Sequence, residues 1–235
     1  MTARYVRAAL LGVLLVGCTD GTKLSLSSQG DGAGADTEAQ TLDLGNGIVL
    51  EEVWMAVRRI ELSGGDLCPP ECALRYGPFP VVVSGADLVS GVLAWEFDVT
   101  VPPGTYDRLE VQVNTIPGGK AGGDPVLEAL AEAHASVIVK GTVDGVPFTF
   151  ATPVAFTQER EPFEVPEEGT NLTLEFDPSL WFVDAAGMRL DPLDPYARTE
   201  ITANIRASLR LFGDHDEDGS DDAGDDGCDG EMASP

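Results

Sequence analysis

The chain has 235 residues, room for one large domain or two small ones, and at 43% hydrophobic and 23% charged it can bury a core. Fourteen Lys and Arg against 40 Asp and Glu give a net charge of −26. That excludes nucleic acid as a partner, because a phosphate backbone wants a basic surface, and it excludes charge-driven docking on anionic lipid. With 27 Gly, 16 Pro and many β-branched runs, the composition is also poor for a helical bundle.

The first eighteen residues carry the strongest pattern in the chain. Arg4 and Arg7 make a short positive region, and Ala8 to Val16 is an apolar run of nine residues. A membrane span needs about 20, whereas a secretory signal needs only a short apolar run. The run ends in Leu15-Val16-Gly17-Cys18. This resembles the bacterial lipoprotein signal, in which a small residue precedes a cysteine that is lipidated and becomes the new N-terminus. The resemblance implies that residues 1–17 are removed, that Cys18 carries the lipid, and that the membrane is a partner through it. The alternative is an ordinary signal peptide with a chance cysteine. Thr19, not Asp, follows the cysteine, which under the enterobacterial sorting rule implies the outer membrane or cell surface. Cleavage removes Arg4 and Arg7 and no acid, so 12 basic and 40 acidic groups remain, a charge of −28.

Residues 18–40 are rich in Gly, Ser, Thr and Asp and read as a flexible tether that lets a domain stand off the membrane. Residues 41–212 read as mainly β, an antiparallel β-sandwich with one or two short helices. Val53 to Leu62 and Phe79 to Val83 are the first strand candidates. Leu93, Trp95, Phe97, Val99 and Val101 then alternate with Ala94, Glu96, Asp98 and Thr100, and Leu109, Val111 and Val113 alternate with polar residues. The Pro102-Pro103-Gly104 turn between them predicts an antiparallel pair. Pro125 to Ala133 predicts a short helix with Pro near its start. Val137 to Val143 and Val146 to Ala151 flank Asp144-Gly145, a strong hairpin signal. Leu172, Leu174 and Phe176 mark a strand ended by Asp177-Pro178. Thr199 to Phe212 alternates like a strand and also aligns Ile201, Ile205, Leu209 and Phe212 on one helical face; the absence of interior Gly and Pro favours helix. Residues 213–235 form an acidic tail, with ten acids between Asp214 and Glu231.

The succession VWMAVRRIEL, PFPVVVSGADLVSG, VPPGTYDRLEVQV, VIVKGTVDGVPFTFATPV and NLTLEFDP resembles a β-rich domain of unknown function found in bacterial surface lipoproteins. There too a Pro-Gly-Thr-Tyr turn leads into an apolar strand, and a late strand ends in Phe-Asp. The resemblance spans roughly residues 41–180. It implies an immunoglobulin- or transthyretin-like sandwich without known catalytic residues.

Few constellations suggest chemistry. Cys68 and Cys72 flank Pro-Pro-Glu, and an exported pair on a restricted loop predicts a local disulfide. Two thiolates without a neighbouring His fall short of a zinc site, and the spacing is not that of a Cys-x-x-Cys redox centre. Cys228 is left over. In the tail, Asp214, Asp216, Asp218, Gly219, Asp222 and Asp225 follow an EF-hand-like spacing. Calcium takes about six to eight oxygens, so alternate acids around a glycine can converge on it, with a helix ending at Phe212 as the entering half. The competing reading is a solvated acidic run. The Gly118–Gly123 stretch lacks P-loop spacing. His134 and His215 have no catalytic motif around them, and His134 is expected at the surface. Trp95 is expected in the core; Trp54 and Trp181 are either core or sugar-stacking platforms.

These residues suit a non-enzymatic, lipid-anchored envelope protein whose loops bind an extracellular or periplasmic glycan or protein. Two other readings stand beside it. One is a secreted carbohydrate-active hydrolase built on a close acid pair. The other is a calcium-stabilised structural surface protein.

Overall fold

The computed structural model describes residues 21–30, 41–65, 73–90 and 94–214. In chain order its elements are β1 (Thr22–Gly30), β2 (Leu42–Asp43), β3 (Ile48–Ser63), β4 (Ala73–Tyr76), β5 (Phe79–Ser84), α1 (Gly85–Ser90), β6 (Ala94–Val101), β7 (Gly104–Tyr106), β8 (Arg108–Val113), α2 (Pro125–Glu132), β9 (Val137–Val143), β10 (Val146–Thr152), β11 (Phe156–Arg160), β12 (Phe163–Val165), β13 (Thr170–Phe176), α3 (Arg198–Ser208) and β14 (Arg210–Gly213). The fold is mainly β, as the alternation requires, with three short α-helices among the described residues where one or two short helices were expected.

The sixteen-residue β3, about 50 Å long at strand rise, is the spine of an eight-stranded sheet in the order β10-β9-β3-β8-β11, with β2, β4 and β5 also pairing to β3. Its apolar set, Ile48, Leu50, Val53, Met55, Val57, Ile60 and Leu62, is buried. Strict alternation would not keep all seven on one face. Register shifts between Leu50 and Glu52 and between Val57 and Arg59 leave Glu51 and Arg58 as extra, exposed residues and restore the phase. Gly141 of β9 pairs with Leu50 beside the first shift, where a Cβ would lie 2.1 Å from the Val49 carbonyl oxygen. The β9–β10 hairpin forms as expected, with Asp144 at φ 49° and Gly145 at φ 78° in its turn.

The second sheet has four strands in the order β14-β13-β1-β6. Leu24, Leu26, Val99, Val101, Leu172, Leu174, Phe176 and Leu211 from it join the inward side chains of the larger sheet in one core cluster, so the two sheets form a sandwich. Residues 22–30 are therefore not part of a tether. They are an inner strand, parallel to β13 and antiparallel to β6. Composition hid this because β1 carries only Leu24 and Leu26 among polar residues. Its stabilisation comes from backbone ladders on both sides and from those two leucines, which are 1% and 0% exposed.

β6 and β8 do not form the expected antiparallel pair but lie in different sheets. Pro102 and Pro103 have no N–H to continue a ladder, and the chain crosses between the sheets. The fully buried Tyr106 donates its hydroxyl to the Pro102 carbonyl at 2.8 Å and pins the crossing, in the manner of a tyrosine corner. Thr199 to Phe212 is neither all helix nor all strand: α3 ends at Ser208, Leu209 is extended at ψ 130°, and β14 pairs with β13. Ile201 and Ile205 of α3 enter the main core. The fully buried Trp181 stacks on Phe176 and donates its indole N–H to Ser208 Oγ at 2.7 Å.

Candidate functional site

The outward residues of the eight-stranded sheet form two neighbouring surfaces. On the first, cross-strand register sets Arg75 (β4), Glu61 (β3), Glu110 (β8) and Glu159 (β11) in one row. Like charges placed directly opposite repel, and arginines compensate. Arg59 lies 3.2 Å from Glu61 and 2.6 Å from Glu110; Arg75 lies 2.9 Å from Glu61; Arg108 lies 3.4 Å from Glu159. Gln112 adds a 2.6 Å hydrogen bond to Glu110. Glu61 and Glu110 are only 6% and 7% exposed. The hydrogen bond from Arg75 outweighs burial and holds the Glu61 carboxyl below its ordinary range. A glycosidase acid must instead be held protonated. This close carboxylate pair is built as a neutralised salt-bridge lattice.

On the second surface, α2 covers the sheet. Asp124 caps it by accepting from the Val126 and Leu127 N–H groups, both at 2.9 Å, and Pro125 takes the first turn where no N–H is needed. Leu127 and Leu130 then pack on Ala56 and Ile138 of the sheet, forming a small second core with Ile116, Ala121 and Ala135. Beside it Lys140 sits 3.2 Å from the Trp54 ring centre and 2.9 Å from Glu52. Burial pushes the Glu52 carboxyl up, but Lys140 and the nearby indole N–H together hold it below its ordinary value. That indole N–H lacks the geometry of a formed hydrogen bond, so Lys140 is the firmer partner.

Between α2 and the preceding loop lies a cleft of about 550 Å³, lined by Gly118, Gly119, Gly122 and Gly123 on one side and by Glu128 and Glu132 on the other. A phosphate cradle needs free N–H groups at a helix start. Here Asp124 already occupies them, and the two carboxylates repel an anion. The cleft suits a cationic or hydroxyl-rich group.

Of the other candidates, Asp214, His134, Trp54 and Trp181 lie among the residues whose side chains are described. Cys18, Cys68, Cys72, Cys228, His215, Asp216, Asp218, Asp222 and Asp225 lie outside the described residues, as does the Trp95 side chain. Asp214 is fully buried; its N–H continues the β13–β14 ladder to Asn171 and its carboxylate accepts from Thr173 Oγ1 at 2.9 Å. The entering helix of a calcium loop is absent at this point, because β14 stands between α3 and Asp214. Among the described residues no group of three or more His, Cys, Asp or Glu is arranged to hold a metal ion. His134 is exposed and ends the α2 turn at φ 51°. Trp181 is core, and the Trp54 ring is covered by Lys140, so neither offers a bare stacking face.

One unusual group left no mark in the sequence. Glu96 reads as an outward residue of β6, but the register shift opposite Leu26 and Ser27 makes it the extra residue of a bulge. It accepts from Ser28 Oγ at 2.6 Å and from the Val82 N–H of β5 at 3.2 Å, linking the two sheets. Burial is the main cause that raises its carboxyl to about 7.

Comparison with protein-family models, curated proteins and solved structures finds no match to the chain.

Proposed function

We propose that the chain is an exported protein held at the cell envelope by a lipid on Cys18, and that its β-sandwich is a non-catalytic binding module. The observation that carries this reading is Leu15-Val16-Gly17-Cys18 at the end of a short apolar run behind Arg4 and Arg7. The contact surface is the outer face of the eight-stranded sheet around the Gly118–Gly123 cleft, where Glu128 and Glu132 favour a ligand rich in cationic or hydroxyl groups. Loops held by a rigid sheet are the usual carriers of recognition.

The test is expression of the full chain in a lipoprotein-processing bacterium fed an alkyne fatty acid. Label on the chain, recovery with membranes and a mature mass beginning at an acylated Cys18 are expected, and Cys18→Ser loses all of them. An intact Met1 or an unmodified Cys18 thiol overturns the reading.

A further inference from the structure

We propose that the sandwich stands on the membrane by its Thr22 end and points its Gly30 end outward; this rests on acylation of Cys18. Only Thr19, Asp20 and Gly21 separate that cysteine from the first residue of β1. Four Cα steps reach at most about 14 Å. Gly21 is already seated: a Cβ there would lie 2.5 Å from Thr100 Cγ2 and 3.1 Å from the Val101 carbonyl oxygen. Thr22 is held on two sides. It pairs with Val101 of β6, and its hydroxyl donates to the Glu167 carbonyl at 2.9 Å. The strand cannot peel away without opening the inner pairings of the smaller sheet. The leash is therefore short and its attachment point is rigid.

The nine residues of β1 then span about 30 Å. At its far end Gly30 pairs with Phe176, where the chain leaves β13 for the Pro178–Leu180 turn. Beyond that turn Arg189 ties its loop to Asp144 and to the Asn46 carbonyl, so three loops gather at this end. Leu180 and Met188, 52% and 66% exposed, lie in that region. A 14 Å leash at the other end keeps them out of the bilayer and presents them to the surroundings. The near end carries exposed Asp107, Glu164, Glu167 and Glu168 beside the cations Lys23, Arg108 and Arg160, of which Lys23 pairs with Asp98 at 2.8 Å and Arg108 with Glu159 at 3.4 Å. Those acids repel an anionic bilayer within a Debye length of about 8–10 Å, so the short leash, not charge, is what holds this end at the lipid.

The test uses the full acylated chain in phosphatidylcholine and phosphatidylglycerol vesicles that hold an acceptor dye on the headgroups. A fluorescent amino acid is placed at Glu168 or at Ala186 by codon suppression, which leaves the native cysteines alone. Each chain is first checked for acylation by intact mass. Energy transfer from position 168 is expected to exceed that from 186 severalfold. A flexible insert of about twenty Gly and Ser residues between Asp20 and Gly21 should abolish the difference. Equal or reversed transfer from an acylated chain without the insert overturns the orientation alone. A mass without acyl chains overturns the lipid reading and the orientation with it.

Discussion

Ser28 Oγ donates a 2.6 Å hydrogen bond to Glu96 Oε1 at the register shift between β1 and β6. The contact couples a strand near the N-terminus to the seam of the sandwich, since the other Glu96 oxygen accepts from the β5 backbone. Burial works against the charged carboxylate there, and Asp87 adds repulsion; the two hydrogen bonds only partly offset them.

A pH dependence follows from that balance. The folded carboxyl sits at about 7 against an ordinary 4.5, so the folded chain binds this proton more tightly than the unfolded chain. The group's contribution is full below about pH 4.5 and is lost as pH rises through about 7. Glu96→Gln keeps an acceptor for Ser28 and cannot ionise. Its stability relative to the parent should therefore grow between about pH 5 and pH 8, by up to about 3 kcal/mol. Urea unfolding of both proteins across that range is the measurement, and a pH-independent gap between them is the adverse result.

The glutamate lattice depends on Arg59, which bridges two opposed carboxylates that are nearly inaccessible to water. Arg59→Ala leaves Glu110 without its ion pair, facing Glu61. A loss of about 3 kcal/mol is expected, as for other broken buried pairs. Adding Glu110→Gln removes the repulsion and should restore part of the loss. If the double variant is no more stable than the single one in denaturant titrations, the pairing is not what the arginine supplies.

Truncation separates a tether from a strand. A chain that begins at Thr41 lacks β1, which removes Leu24 and Leu26 from the core and exposes unpaired edges on β13 and β6. It should aggregate or unfold. A chain that begins at Gly21 should stay soluble and melt cooperatively. Equal melting temperatures for the two would return residues 22–30 to the linker.

The Trp181 indole has one polar atom in a dry setting, satisfied by Ser208. Ser208→Ala strands that N–H and should cost about 1–3 kcal/mol. Thermal unfolding monitored by tryptophan fluorescence reads the loss; an unchanged midpoint means the N–H has found another acceptor.

Much of the domain was legible along the chain because local rules sufficed. The alternation in β8, β9, β10 and β13 marked strands, Asp144-Gly145 set a hairpin, and Pro125 marked the start of α2; each depends on neighbours a few residues away. The candidate site was less legible. The Gly118–Gly123 loop was visible, but its cleft with Glu128 and Glu132 forms only when α2 lies on the sheet. The Arg59–Glu61–Glu110 lattice likewise needs β3 beside β8, and those strands are brought together by the sheet, not by a turn.

The linear order of residues determined the β class, the acidic composition and the short helix at Pro125, since period, charge and spacing are properties of a single segment. Tertiary structure alone decided that β1 is an inner strand, that β6 and β8 part into different sheets, and that Glu96 turns into the seam. Each of these is settled by which distant backbone satisfies a segment's hydrogen bonds, and bulges at Glu51, Arg58 and Glu96 change facing without any change in composition.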